Sequence, residues 1–297
     1  MSSANELLRK IPKVDELLLK IEPGLPGGVT NAEATAAVRE VLDQIRSAIL
    51  SGQLEAAPSE AAFEQLALKQ VADNRKPSLR RVVNATGIVL HTNFGRAPLA
   101  QSAVKAVQDG AQSYTNLEYD IDAGERGSRH RHVEKLLCRL TGAESAMVLN
   151  NNAAATMLML SALAYQKETI VSRGELVEIG GAFRMPDVMA LSGSILKEVG
   201  TTNKSRLSDY ENAVDPARTG VLLKVHTSNF KIIGFTEEVE LPALLTLGQK
   251  HQIPVLYDLG SGYLSPLDIP CLANEPTVKQ SLQLGTDLVC FSGDKLL

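Results

Sequence analysis

From Arg80 to the last residue, short aliphatic runs alternate with stretches of helical periodicity. That alternation limits the fold more than any other feature, because strand, helix and strand in succession build a mainly parallel sheet covered by helices on both faces. The spacing predicts strands at 82–83, 146–149, 169–172, 194–199, 220–225, 253–258 and 287–291. Helices are expected at 98–109, 130–140, 152–164 and 239–251, with Pro98 suited to a first helical turn. Residues 1–75 have a different texture. Leu7, Leu8, Ile11, Val14, Leu17 and Leu18 recur at helical spacing until Pro23 and Gly24 break the pattern. A second helix is expected from Asn31 to Leu50, with Val38, Val41, Leu42, Ile45 and Ile49 on one face and Gly52 closing it. A third is expected over 59–72, with Ser59 as N-cap. Residues 74–77 read as a linker, so the expected division is a helical domain at 1–75 and an α/β domain at 76–297.

Composition narrows the class. With 44% apolar and 22% charged residues the chain can bury an ordinary globular core. Residues 1–20 carry scattered charges and no apolar h-region, which argues against a secretory signal. The longest nearly apolar stretch, 153–164, is too short to span a membrane. Cys138, Cys271 and Cys290 are odd in number and widely spaced, the usage of a reducing, cytoplasmic compartment rather than of a disulfide framework or zinc site. A net charge of −4 gives no global reason to expect DNA or RNA binding, and residues 1–80 hold ten Lys/Arg against eleven Asp/Glu.

Two residues at the ends of β-like runs carry the chemistry. Asp258 closes Ile253-Pro254-Val255-Leu256-Tyr257-Asp258, and a Leu259-Gly260-Ser261-Gly262 turn follows. Lys295 stands in Phe291-Ser292-Gly293-Asp294-Lys295. Either alone is most simply a solvated turn residue. Together, on two strands of one sheet, they suit pyridoxal 5'-phosphate: the amine takes the aldehyde, and the carboxylate keeps the pyridine nitrogen protonated so that the ring draws off carbanion electrons.

Other residues fit around that pair. Asn150-Asn151-Asn152-Ala153-Ala154-Ala155 joins a strand to an apolar helix, and free amides at a helix start bind anions. Asn151, Asn152 and Ala153 are therefore expected to hold the cofactor phosphate, an Asn N-cap beside a buried helix being the plainer alternative. Ser292 is a further phosphate ligand or an ordinary turn serine. His226 and Asn229, after the strand at 220–225, are candidates for the cofactor's 3′-oxygen or a substrate carboxyl, Asn229 ahead of His226. Arg96 is either a substrate-anion ligand or a surface arginine. The stretch 172–181 packs charge and glycine after a strand, as active-site loops do, with no aromatic to stack on a pyridine ring. Arg126, Arg129, His130, Arg131 and His132 lack the carboxylate or cysteine spacing of a metal site, and no metal is expected. They read as a basic patch.

With these residues in place, the chain resembles bacterial selenocysteine synthase, the L-seryl-tRNA(Sec) selenium transferase family. The segments that carry the resemblance are Asn84-Ala85-Thr86-Gly87-Ile88-Val89-Leu90-His91-Thr92-Asn93, the Asn150–Ala155 run, 172–181 and Ser292-Gly293-Asp294-Lys295. The resemblance implies the large domain of a fold-type-I pyridoxal-phosphate transferase preceded by an N-terminal helical domain that recognises tRNA. Lys295 then corresponds to the cofactor lysine and Arg96 to an arginine of the selenium-donor site. Implied partners are seryl-tRNA(Sec), selenophosphate and further copies of the chain, in a homodecamer. The implied reaction is β-replacement through an aminoacrylyl intermediate. The family continues well beyond its lysine, so the large domain is expected to be incomplete and the chain a fragment or truncated product. Two rivals stay open: a lyase removing water or ammonia from a free amino acid or amino-sugar acid, and an inactive remnant serving tRNA binding or oligomerisation.

Overall fold

The computed structural model describes residues 2–179, 183–266 and 268–296, in two compact units, Met1–Val83 and Asn84–Leu297. The first unit is helical: α1 (Ser2–Leu8), α2 (Val14–Ile21), α3 (Asn31–Leu50) and α4 (Glu60–Asn74). The periodicity over 7–18 is shared by two helices. Pro12 lies in the break between them, where its ring disfavours helical geometry at Ile11 and it has no N–H to donate. Thr30 caps α3 by a reciprocal box with Glu33, whose carboxylate accepts from the Thr30 amide at 2.7 Å. Gly52, at φ +75°, follows the last turn in the left-handed conformation that suits glycine. Val38, Val41, Leu42, Ile45 and Ile49 pack with Leu17, Ile21, Phe63 and Ala67 into this unit's core.

The second unit contains α5 (Gln101–Gln112), β1 (Tyr119–Asp120), β2 (Glu125–Arg126), α6 (Arg131–Thr141), α7 (Asn152–Ala164), β3 (Glu168–Ser172), β4 (Glu178–Ile179), β5 (Phe183–Arg184), α8 (Met185–Ser192) and β6 (Ile195–Val199). After these come α9 (Leu207–Ala213), β7 (Thr219–Val225), α10 (Leu241–His251), β8 (Val255–Asp258), α11 (Val278–Gln283) and β9 (Leu288–Cys290). Five strands form a parallel sheet in the order β6-β3-β7-β8-β9. Strands β3, β7 and β8 are buried throughout, as expected of a parallel sheet covered on both sides. Side chains alternate between the faces. Ile170, Leu222 and Tyr257 pack with Tyr210, Leu244 and Leu247 on one side, while Val171, Leu223, Leu256 and Cys290 pack with Met159, Leu160, Met185 and Met189 on the other.

Two expected strands are not strands. Residues 82–83 and 146–149 are irregular, with Val83 88% exposed and Val148 52% exposed. A strand exists only as a paired element, and among the described residues neither segment has a ladder partner. No helix among the described residues is long and apolar enough to cross a membrane.

Candidate active site

Because the five strands are parallel, their carboxyl ends share one edge, and in open α/β sheets ligands bind there. Asp258 ends β8 and is paired in register with Cys290 at the end of β9. The turn after β8 and the segment after β9 then meet. Lys295 Nζ donates to the Gly260 carbonyl at 2.9 Å, and the Leu296 amide donates to the Ser261 carbonyl at 3.3 Å. Gly262 makes this approach possible: a Cβ there would lie 2.3 Å from the Ser292 carbonyl oxygen.

Asp258 shares its sheet face with Leu256, the face covered by α7. Its carboxylate is buried and accepts from three uncharged donors. Asn152 Nδ2 lies 2.7 Å and the Gly260 amide 3.2 Å from Oδ1, and Thr156 Oγ1 lies 3.0 Å from Oδ2. Burial raises the Asp258 pKa, while the hydrogen bonds from Asn152, Thr156 and Gly260 and the charge of Lys295 oppose that rise. For Lys295, loss of water lowers the pKa and the Arg96 guanidinium lowers it further, against Asp294, Asp258 and Glu275.

The remaining expected residues are placed as follows. Asn151 is the N-cap of α7, its Oδ1 accepting from the Ala154 amide at 2.9 Å, and Ala153 lies in the first turn. The Asn152 side-chain amide turns to Asp258, so this residue supports the carboxylate rather than donating that N–H outward to a phosphate. Ser292 is buried beside Gly262. Arg96 forms an ion pair with Asp294, at 2.8 Å to Oδ2, which ties the 91–97 turn to the lysine segment. The backbone of His226 donates to the Asp258 carbonyl, and its ring Nδ1 faces Glu275 Oε1 at 3.6 Å. Burial lowers the His226 pKa despite Glu275, which favours the neutral ring. Asn229 reaches the Glu178 carbonyl at 3.4 Å, on β4.

In the stretch 172–181, Gly180 and Gly181 lie outside the described residues. Within it, Glu175 is a buried carboxylate that accepts from Lys224 Nζ at 2.8 Å and from the Val225 amide at 3.0 Å. The basic patch is locally neutralised: Arg126 and Arg129 pair with Glu118, and Arg131 with Asp120. Sequence reasoning missed Thr156 and Lys224. Thr156 stands one helical turn after Asn152, and Lys224 is a lone charge in an apolar strand; both are readable signals.

The segment after β9 brings Lys295 Nζ onto the Gly260 carbonyl, two residues past Asp258 at the end of β8. Asn152 Oδ1 and Ser261 Oγ are buried beside them without a hydrogen-bond partner, and small residues open α7. A buried carboxylate, a half-buried amine and unspent polar atoms fit the heterocycle, aldehyde and polar substituents of pyridoxal phosphate. The fold is that of the large domain of fold-type-I pyridoxal-phosphate enzymes. The solved structure of D-glucosaminate-6-phosphate ammonia-lyase shares this fold, with a TM-score of 0.55 at 20% identity over 69% of this chain and 52% of that one.

The chain belongs to the L-seryl-tRNA selenium transferase family, whose model matches residues 82–297. The L-seryl-tRNA(Sec) selenium transferase of Carboxydothermus hydrogenoformans is 54% identical over 98% of this chain. That of Geobacter sulfurreducens is 51% identical over 98%. The chain spans 63% of the length of each of these relatives.

Proposed function

We propose that the whole protein exchanges the β-hydroxyl of serine, esterified to selenocysteine tRNA, for selenium from selenophosphate, with phosphate as co-product. The observation that carries this reading is the approach of Lys295 Nζ to the Gly260 carbonyl in the turn that follows Asp258, with three donors directed at the Asp258 carboxylate. Pyridoxal phosphate, when bound, supplies an electron sink for a carbanion at the substrate Cα. Lys295 would hold it covalently through Nζ, and Asp258 would hold the proton on its ring nitrogen. Asn151 and the first amides of α7 would take its phosphate, with Ser292 as a further donor, and His226 or Asn229 would approach its 3′-oxygen.

Lys295 serves twice. Its lowered pKa leaves more of the amine neutral and nucleophilic near pH 7. As a free amine, Nζ would take the Cα proton. Each pKa unit by which Asp258 favours the protonated ring is worth about 1.4 kcal/mol. Arg96 would orient the donor's phosphate as a planar clamp, exchanging part of its bond to Asp294 for the incoming anion. Recognition of the tRNA belongs, on this reading, to the N-terminal helical domain, and the working form is a homo-oligomer.

The test is spectroscopic and needs no turnover. The protein incubated with pyridoxal phosphate should show a visible absorption band that survives dialysis, and Lys295→Ala should lack it; a normal band in the variant would overturn the assignment. Retained binding of selenocysteine tRNA, without turnover of free amino acids, separates this reading from a small-molecule lyase.

A further inference from the structure

Thr156 is fully buried on α7, one turn after Asn152, so the two side chains project from one helix face. A threonine hydroxyl has one proton to give and two lone pairs to receive with. Two acceptors lie within reach of Thr156 Oγ1, the Asn152 carbonyl at 3.0 Å and Asp258 Oδ2 at 3.0 Å. The carboxylate is the stronger acceptor, because charge-assisted bonds outweigh neutral ones. That leaves Oγ1 to accept, and Cys290 Sγ lies 3.5 Å away. Burial, and then the negative charge of Asp258, raise the Cys290 pKa well above its ordinary value, so this sulfur carries its proton and donates. Cys290 is in turn held opposite Asp258 by the β8–β9 register.

We infer that Thr156 is a positioning residue for Asp258: a directed chain, Cys290 S–H to Thr156 Oγ1 and Thr156 O–H to Asp258 Oδ2, fixes the carboxylate plane and holds it anionic for a cationic nitrogen heterocycle. The inference rests on the cofactor reading above. Asn152 and Gly260 occupy Oδ1 and Thr156 occupies part of Oδ2, so three of roughly four acceptor positions are filled. The last is left for a ring N–H. Valine in place of Thr156 would keep the volume and remove the hydroxyl that donates to Oδ2.

The experiment compares wild type, Thr156→Val, Thr156→Ser and Cys290→Ala, each loaded with pyridoxal phosphate. It reads cofactor retention on dialysis, the pH midpoint of the visible band and the thermal unfolding midpoint. The other titratable groups facing Asp258 are Lys295, Cys290 and His226; Lys295 and His226 are unchanged throughout. Thr156→Val is expected to bind the cofactor about tenfold or more weakly and to shift the pH midpoint. Thr156→Ser should return both to near wild type, and Cys290→Ala should shift the midpoint less, in the same direction. A Thr156→Val protein that folds and matches wild type in retention and midpoint overturns the inference. Should it fail to fold, an unshifted Cys290→Ala overturns it. Wild type without a band refutes the cofactor reading instead, a distinct outcome.

Discussion

Gly262→Ala tests how closely the two strand-end segments must approach. The glycine sits at φ +64°, and a Cβ added to it would lie 2.3 Å from the Ser292 carbonyl oxygen and 3.1 Å from Phe291 Cδ2. Carbon and oxygen in ordinary contact stand about 3.3 Å apart, so the overlap is roughly 1 Å. The obstructing atom is backbone and cannot rotate aside. Alanine in a left-handed conformation costs about 1–2 kcal/mol, and forcing a methyl into a filled space costs about 1–3 kcal/mol more. The variant should therefore lose about 2–5 kcal/mol. Gly142 is the internal control. It has φ +83° and nothing within 4 Å of the position a methyl would take, so Gly142→Ala meets only the conformational cost. Urea unfolding followed by circular dichroism measures both. The clash must also displace Ser292, three residues before Lys295, and a shift near 1 Å at a reacting group can cost about a hundredfold in rate. Gly262→Ala should then show slower incorporation of pyridoxal phosphate, whereas Gly142→Ala should not. Equal destabilisation of the two variants, within about 0.5 kcal/mol, would refute the steric argument.

Two further outcomes follow from buried charge. Burial raises the Asp258 pKa above its ordinary 3.8. The cofactor-free folded chain therefore keeps that proton to higher pH than the unfolded chain, and stability falls as pH climbs from about 4 through the folded value. Asp258→Asn removes this contribution while keeping an acceptor for Asn152 and Gly260. Its urea midpoint should match wild type near pH 4 and gain on it as pH rises; a variant that loses ground over that range would refute the assignment. For the buried pair, burial alone would lower the Lys224 pKa, but Glu175, Glu238 and Glu240 outweigh it and keep the ammonium charged. Lys224→Met leaves the Glu175 carboxylate without its cation and should cost about 3–5 kcal/mol. Adding Glu175→Gln should recover a large part of that loss in the same unfolding measurement, and no recovery would show that the two do not act as a pair.

Local pattern carried much of the fold. Helices α3 and α7 begin and end where periodicity, Thr30, Asn151 and Gly52 place them, because caps and apolar spacing act over a few residues. The buried strands β3, β7 and β8 announce themselves as apolar runs, since a parallel strand covered on both sides has no polar face to show. Residues 146–149 carry the same signal and form no strand, because pairing depends on a neighbour that composition does not reveal. Across residues 7–18 the leucine spacing runs on through Pro12, where the structure breaks the helix in two.

By itself the sequence determined which residue types stand at and after the apolar runs, an aspartate ending one at 258 and a lysine shortly past another at 295, on segments whose order also identifies the family. Tertiary structure decided what those groups touch. Asn152 turns to Asp258 across 106 positions, Thr156 across 102, and Arg96 to Asp294 across 198. Such partners are chosen by the register of β8 against β9 and the seat of α7 on the sheet, where packing spans the whole unit and leaves no trace in local spacing.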